Sequence, residues 1–370
     1  MTEKPVFAVL GGGNGGFCAA ADLTLRGFEV RLFELPAFAH TITPVIQQGG
    51  IALRGVVGQG FARPALVTTD IGAALAGADV VMVVTAALGH KAMAQACAPW
   101  LQDGQVVVLT PGCCGGVLEF RQTLLTAGGQ QNVILAESAS LMYAVKKEGG
   151  NGVWARGVKH HLPLAAFPAH QTAAVIELLR PAFPQFEPAV NVLQVSFSNL
   201  NHITHPAPVL TNIGLVQSQR IEEWFLYSDG YSPGAGRLAD RLDLDRLAVM
   251  RAYGLPGRPA VEWVRRFYGH HGMAGDNMYE IFHNSPVHRT TPGPKSTHSR
   301  LITEDIPYGL VPMASFGRLA GVPTPIMDAL ITLASVINKS NYRQTGRTLE
   351  SLGLAGRNVD EIVRLVTEGQ

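Results

Sequence analysis

Residues 6–34 read VFAVLGGGNGGFCAAADLTLRGFEVRLFE. An apolar run at 6–10 has the length and β-branched content of a buried strand. Six residues of glycine loop follow, GGGNGG at 11–16, and then a helical pattern over 17–26 that Gly27 closes as a C-cap. A second strand pattern, 29–34, ends in Glu34. Gly11, Gly13 and Gly16 match G-x-G-x-x-G between a strand and a helix, and an acidic residue lies eighteen positions past Gly16. Together these make the dinucleotide fingerprint of a βαβ unit. Gly11 permits the tight turn, Gly13 lets the backbone approach a pyrophosphate, and Gly16 allows close helix–strand contact. Asn14 and Gly15 complete the loop, whose N–H groups at the helix start face phosphate oxygens. The carboxylate of Glu34 suits both ribose hydroxyls and repels a 2′-phosphate. No Arg or Lys follows it at 35–38, so NAD(H) is the expected cofactor, with NADP(H) as the second option.

Working outward, the β–α rhythm continues through strand patterns at 66–69, 80–85, 106–110 and 133–136, with helical patterns at 71–78, 91–101 and 118–126. Strands separated by helices predict a doubly wound, largely parallel Rossmann-type sheet. Two more loops fall at predicted carboxyl ends of strands, TAALGH at 85–90 and TPGCCGG at 110–116. Thr85, Ala86, Pro111 and Gly112 are therefore cofactor candidates, with ordinary β–α turns as the alternative. Residues 152–159 and 162–167 look like an added pair of strands, and 171–179 looks helical. From about 190 helical patterns take over, at 190–219, 235–253, 261–268, 308–319, 324–337 and 359–366. The expected division is a dinucleotide-binding domain at 1–187 and an all-helical substrate domain at 188–370, with Pro181, Pro184 and Pro188 at the boundary.

Composition narrows the function classes. The 29 Lys+Arg nearly cancel the 28 Asp+Glu, so nothing draws the chain as a whole to nucleic acid or anionic lipid. Residues 188–219 contain no charged side chain but hold four Asn, three Gln and two His, too polar for a membrane span. The N-terminus shows no signal-peptide pattern, and a soluble cytoplasmic protein is expected. Four cysteines, two of them adjacent, form neither a disulfide framework nor a metal-ligand cluster, so no metal is expected. A homodimer through the helical domain is an expectation from its apolar composition.

Position selects among twelve histidines. The stretch 199–212, NLNHITHPAPVLTN, packs three Asn and two His into a segment otherwise apolar enough to be buried. Buried polar groups are costly unless hydrogen-bonded or functional, which singles out His205, Asn201 and Asn212. A second constellation, RLITEDIPYGLVP at 300–312, sets Arg300 five residues before Asp305 at the exit of the Pro-rich loop 284–299. The same acids also suit a plain helix start.

The GGGNGG fingerprint, the Asn-x-x-x-His-Pro stretch at 201–206 and the Arg-x-x-x-Glu-Asp-x-Pro-x-Gly-Leu-Val-Pro stretch at 300–312 together resemble the opine dehydrogenase family, the octopine and nopaline dehydrogenases. AESASLMYA at 136–144 and GVPTP at 321–325 look similar too. The resemblance implies reductive condensation of an amino acid's α-amine with a 2-oxo acid, through an imine reduced by NAD(P)H, to an N-(carboxyalkyl)amino acid, and the reverse oxidation. It implies His205 as acid–base group, Asp305 as its helper and Arg300 as the grip on a substrate carboxylate. Where the family often carries Arg shortly after the Leu-x-Tyr-Ala stretch, this chain has Lys146 and Lys147. The competing readings are an alcohol-oxidising enzyme of the 6-phosphogluconate or glycerol-3-phosphate dehydrogenase type, whose lysine-centred motif is not evident, and a non-catalytic dinucleotide sensor.

Overall fold

The computed structural model describes residues 4–129, 132–218 and 220–369. They form two compact units, one of residues 4–112, 116–192 and 367–369, the other of Cys113–Gly115 and Leu193–Val366.

The first unit holds twelve strands: β1 Phe7–Leu10, β2 Val30–Phe33, β3 Ile51–Gly55, β4 Gly60–Ala62, β5 Leu66–Thr68, β6 Val80–Val83, β7 Val106–Leu109, β8 Ile134–Ser138, β9 Tyr143–Glu148, β10 Gly152–Val158, β11 Leu162–Phe167 and β12 Phe186–Pro188. Eight of them make one sheet in the order β12-β11-β8-β7-β6-β1-β2-β5. All its pairs are parallel except β8 with β11. β1, β6 and β7 are buried along their whole length, which is why they read as unbroken apolar runs. The chain leaves β1 for β2 on one side and later returns to place β6 on the other. The β1–β6 seam is thus a topological switch point, the place where open α/β sheets bind ligands.

A second sheet, β4-β3-β10-β9, covers the helix Asn14–Leu25. That helix is buried nearly all round, hence its run of Ala and absence of a polar face. Its one buried acid, Asp22, accepts a hydrogen bond from Tyr143 Oη at 2.7 Å. Residues 152–158 and 162–167, expected as a pair, prove to belong to different sheets. β10 pairs with β9 and β3, β11 with β8 and β12. His161, at φ 54°, turns the chain between them. The true hairpin is β9–β10, closed by Gly149 and Gly150, and β9 is a strand the sequence reading leaves out.

The second unit is helical, with one isolated bridge between Phe225 and Pro292. Its central helix, Pro233–Ala252, starts on Ser232, whose Oγ accepts from Ala235 N. It packs against Pro206–Leu210, Met278–His283, Val311–Leu319 and Pro325–Ile337. From it the fully buried Arg246 donates to Asp243 Oδ1 at 2.7 Å and to the carbonyls of Phe197 and Arg258, a charge with its donors used. The single helix expected over 190–219 is instead four short ones, Val192–Phe197, Asn201–Thr204, Pro206–Leu210 and Ile213–Val216. Pro206 and Pro208 have no N–H to continue a ladder. The helix expected from 308 is likewise preceded by a π turn, Ile306–Leu310, with Leu310 N donating to Asp305 O. Among the described residues no helix is long and apolar enough to cross a membrane, and no cluster of His, Cys, Asp and Glu is arranged to hold a metal ion.

Lys159, just past β10, is buried and donates from Nζ to Leu141 O at 2.8 Å. Burial pulls its pKa down to about 7, whereas an unfolded lysine titrates near 10.4. Between those values the unfolded chain holds a proton that the folded chain lacks, so this group makes stability rise with pH across the window. Lys159→Met should therefore raise stability near pH 7 by up to a few kcal/mol, with the gain shrinking toward pH 10. Urea midpoints of both proteins at pH 7 and 9.5 check this, and parallel pH dependence of the two would refute it.

Candidate functional site

The glycine loop leaves β1 at Leu10 and enters the helix Asn14–Leu25 with Gly13 as N-cap. Gly11 has φ +126°, and a Cβ there would lie 2.5 Å from Val84 O; one on Gly16 would lie 1.7 Å from Gly11 O. Both positions admit only glycine. Above Gly13 nothing lies within 4 Å of where a Cβ would be. The fit to a dinucleotide is direct: close backbone packing beneath, open space above, and free N–H groups at a helix start.

Glu34, at the carboxyl end of β2, is buried, and both its oxygens are engaged. Oε2 accepts from Gly12 N at 2.7 Å and Oε1 from Leu35 N at 2.8 Å. The acid expected to read the ribose thus also holds the loop. Each oxygen keeps a second lone pair for a ribose hydroxyl. Lys147 enters the same place from β9. Its Nζ lies 3.3 Å from the carbonyls of Gly12 and Thr41 and 3.7 Å from the ring centre of Phe17, and its N–H donates to Asn14 Oδ1. Partial burial lowers its pKa, and the charge of Glu34 opposes that. The sequence alone does not place Lys147; the pairing of β9 brings it to a loop far away in the chain.

Thr85 follows β6 and packs its Cγ2 beneath Gly11, and Ala86 leads into the turn Ala87–Gly89. Pro111 and Gly112 follow β7, one strand beyond. Gly112 has its own reason to lack a side chain, since a Cβ would meet Glu137 Oε2 at 2.2 Å. That buried carboxylate accepts from Val117 N in the first turn of Gly116–Thr126.

The second unit carries the candidates for acid–base work, His205 and Asp305. His205 sits at the break between Asn201–Thr204 and Pro206–Leu210. Its Nδ1 lies 2.7 Å from Asp305 Oδ2, across 100 residues of chain. Its Nε2 lies 3.0 Å from Tyr227 Oη. An ionised Asp305 can only accept, so Nδ1 carries the hydrogen, and in the neutral imidazole the Nε2 lone pair accepts from the tyrosine hydroxyl. His205, Asp305 and Tyr227 are all buried. Tyr231 Oη donates to Thr204 O at 2.6 Å and braces the backbone next to His205.

Arg300 opens the helix Arg300–Thr303, capped by Ser299. Its side chain is 63% exposed and pairs at 3.4 Å with the buried Glu304. Surrounding protein lowers its pKa, but the charges of Glu304 and Asp305 outweigh that and hold it above the ordinary guanidinium value. Glu304, which sequence reading passed over, is thus the ionic partner of Arg300, while Asp305 turns to His205. The other histidine of the cluster, His202, is buried against Gly309, and burial, with the charges of Arg246 and His205, pushes it down to about 3. It stays neutral at physiological pH. Asn201 N donates to Asn199 Oδ1, tightening the turn before His205. Asn212 Nδ2 donates to the carbonyls of Pro208 and Gly230, bracing that segment. Tyr227 is a neighbour of His205 that the sequence does not single out. It stood in a run of aromatics, Trp224, Phe225, Tyr227 and Tyr231, with nothing to separate one from another.

Comparison with known proteins identifies the family. Residues 188–338 match the family model for the α-helical domain of NAD/NADP octopine/nopaline dehydrogenases. The chain is 35% identical to an opine dehydrogenase of Arthrobacter sp. (strain 1C) over 356 residues, 96% of this chain and 97% of that protein. It is 25% identical to the octopine dehydrogenase of Pecten maximus over 372 residues, covering 90% of each. In structure it resembles an octopine dehydrogenase solved with NADH and L-arginine, at a TM-score of 0.77 and 22% identity, over 99% of this chain and 98% of the other. It also resembles a yersinopine dehydrogenase with NADP+, at 0.73 and 15%, over 100% and 99%. The chain belongs to the octopine/nopaline dehydrogenase family, NAD(P)-dependent opine dehydrogenases that join an amino acid to a 2-oxo acid.

Proposed function

We propose that this opine dehydrogenase uses His205 as its acid–base group, Asp305 as the partner that fixes it, Arg300 as the grip on the 2-oxo acid carboxylate, and NAD(H) as its preferred cofactor. The observation that carries the reading is the buried His205–Asp305 contact at 2.7 Å, with Arg300 on the same short segment as Asp305.

Condensation needs a proton taken from the amino acid's ammonium group, so that nitrogen can attack the keto carbon. It needs a proton returned to the oxygen that leaves as water. An imidazole fixed at Nδ1 by a carboxylate can hold that proton in between, with Asp305 balancing the charge. Arg300, aligned by Glu304, offers a planar fork to the substrate carboxylate, and its exposure leaves donors available. When bound, the dinucleotide supplies the hydride that reduces the imine. The loop 11–16, Glu34 and Lys147 would hold its phosphates and adenosine ribose, while Thr85, Ala86, Pro111 and Gly112 would line its far end. Glu34 is the reason for preferring NAD(H): a buried carboxylate at the end of β2 opposes a 2′-phosphate. Asn201 and Asn212 are proposed to shape the substrate side through the backbone they hold.

A matrix of amino acids against 2-oxo acids, followed by NADH absorbance, tests the reaction; turnover of 2-hydroxy acids alone would favour the alcohol-oxidising reading. His205→Ala should leave NADH affinity almost intact and lower kcat by roughly 10²–10⁴, and Asp305→Asn should lower kcat in the same direction. Near-normal turnover without the imidazole would remove His205 from the chemistry. Arg300→Ala should raise KM for the oxo acid about ten- to a hundredfold and that for the amino acid less, with Arg300→Lys recovering only part. Equal changes in both constants would make Arg300 a structural residue. Glu34→Arg should weaken NADH and improve NADPH; a wild-type preference for NADPH of about tenfold, ~1.4 kcal/mol, would contradict the assignment.

A further inference from the structure

Both nitrogens of His205 are occupied. Nδ1 faces Asp305 and Nε2 faces the hydroxyl of Tyr227 at 3.0 Å. A proton leaving or reaching Nε2 therefore meets Tyr227 Oη as the next atom. The tyrosine is not placed to swing aside. Its ring is stacked on Phe282 at 4.7 Å and nearly parallel to Tyr231 at 5.9 Å, with the His288 ring at 5.0 Å. The side chain is buried, and aromatic rings clamped in this way keep their rotamer.

We propose that Tyr227 is a catalytic residue, its hydroxyl relaying the proton between His205 Nε2 and the oxygen of the 2-oxo acid. The inference rests on the roles of His205 and Arg300 given above.

The relay balances. His205 Nε2 takes the Tyr227 Oη proton as Oη takes one from the substrate ammonium, which leaves an imidazolium facing Asp305 and the tyrosine intact. The freed amine adds to the keto carbon, and a nitrogen-bound proton moves to the alkoxide to give the carbinolamine. In dehydration, the imidazolium passes its proton from Nε2 to Tyr227 Oη as Oη–H passes its own to the carbinolamine oxygen. The C–O bond breaks, the nitrogen lone pair closes the C=N bond, and water departs. Tyrosine ends with one proton, as it began, and His205 is neutral again. A phenol suits the task because its oxygen donates and accepts at once.

The surroundings fit that placement. The guanidinium of Arg300 lies close enough to Tyr227 to feel it together with Glu304 and Asp305. In a 2-oxo acid the carboxylate carbon is bonded directly to the keto carbon. The group that grips the carboxylate and the group that meets the keto oxygen must then lie in one region, and Arg300 shares a short segment with Asp305, the partner of His205. The titratable group at the hydroxyl is His205; His288 and Tyr231 lie against the ring, and Arg300 is close enough for its charge to act on Tyr227.

Tyr227→Phe in the full-length enzyme tests this. The ring and its stacking remain and only the hydroxyl is lost. The expected result is a kcat about ten- to a thousandfold lower with NADH affinity unchanged by fluorescence titration, and an altered solvent deuterium isotope effect on kcat. A second probe keeps the hydroxyl: a fluorinated tyrosine placed at 227 has a more acidic phenol, and the high-pH fall of kcat should begin at lower pH. A Phe variant with kcat within about twofold of the parent and the same isotope effect, or a fluorotyrosine enzyme with an unmoved pH profile, overturns the relay. His205→Ala separates the two levels. If it abolishes turnover while Tyr227→Phe does not, the relay alone fails; if it does not, the acid–base assignment fails first.

Discussion

The contact between His205 Nδ1 and Asp305 Oδ2 joins two segments 100 residues apart inside a helical unit, and both partners are buried. A buried carboxylate without its hydrogen-bond partner costs several kcal/mol, so the fold must deliver both groups to one point. It does so by giving up regular helix on each side. Pro206 ends the ladder immediately after His205, and the π turn Ile306–Leu310, which contains Pro307 and precedes Pro312, starts immediately after Asp305. A π turn inserts an extra residue into the helical phase, so the residues beyond it face a direction that a plain α-helix would not allow. Gly309 in that turn lets the backbone close onto His202; a Cβ there would lie 2.4 Å from that of the histidine.

The same economy recurs among the other buried acids. Glu34 takes two backbone N–H groups, Asp245 takes those of Ile326 and Met327 at the start of Pro325–Ile337, and Glu137 takes that of Val117. Each carboxylate caps a helix or loop whose donors would otherwise be unmet. The acids of the first unit and of the second thus hold structure, and two of them, Glu34 and Asp305, are also the ones proposed to meet the cofactor and to fix His205.

What could be read in advance follows from the range of the interactions. The glycine loop and Glu34 lie within one βαβ unit, where hydrophobic period, turn chemistry and spacing are all local, so the Rossmann half was legible from 29 residues of text. His205 stood out because uncompensated polarity in an apolar stretch is itself a signal. The small sheet was not legible, since β3 and β10 pair in parallel from opposite ends of the unit and β9 alternates only weakly. Lys147 and Tyr227 escaped for a related reason. A lysine on a strand and a tyrosine among aromatics carry no mark until tertiary contacts give them neighbours. Arg300 and Asp305 could be picked out as a constellation, but the pairing of Arg300 with Glu304 could not, because it depends on which way one short helix faces.

The latch between β9 and the glycine loop bears on the thermodynamics of cofactor association. Asn14 receives the Lys147 N–H and the lysine head group reaches back to Gly12 and Thr41, while Glu34 holds Gly12 from below. A loop rich in glycine would ordinarily lose much backbone freedom on meeting its ligand. Here that ordering has already occurred during folding, so association approaches the docking of two rigid bodies. The entropic penalty then falls mainly on the dinucleotide, whose own torsions must freeze, and little of it on the protein.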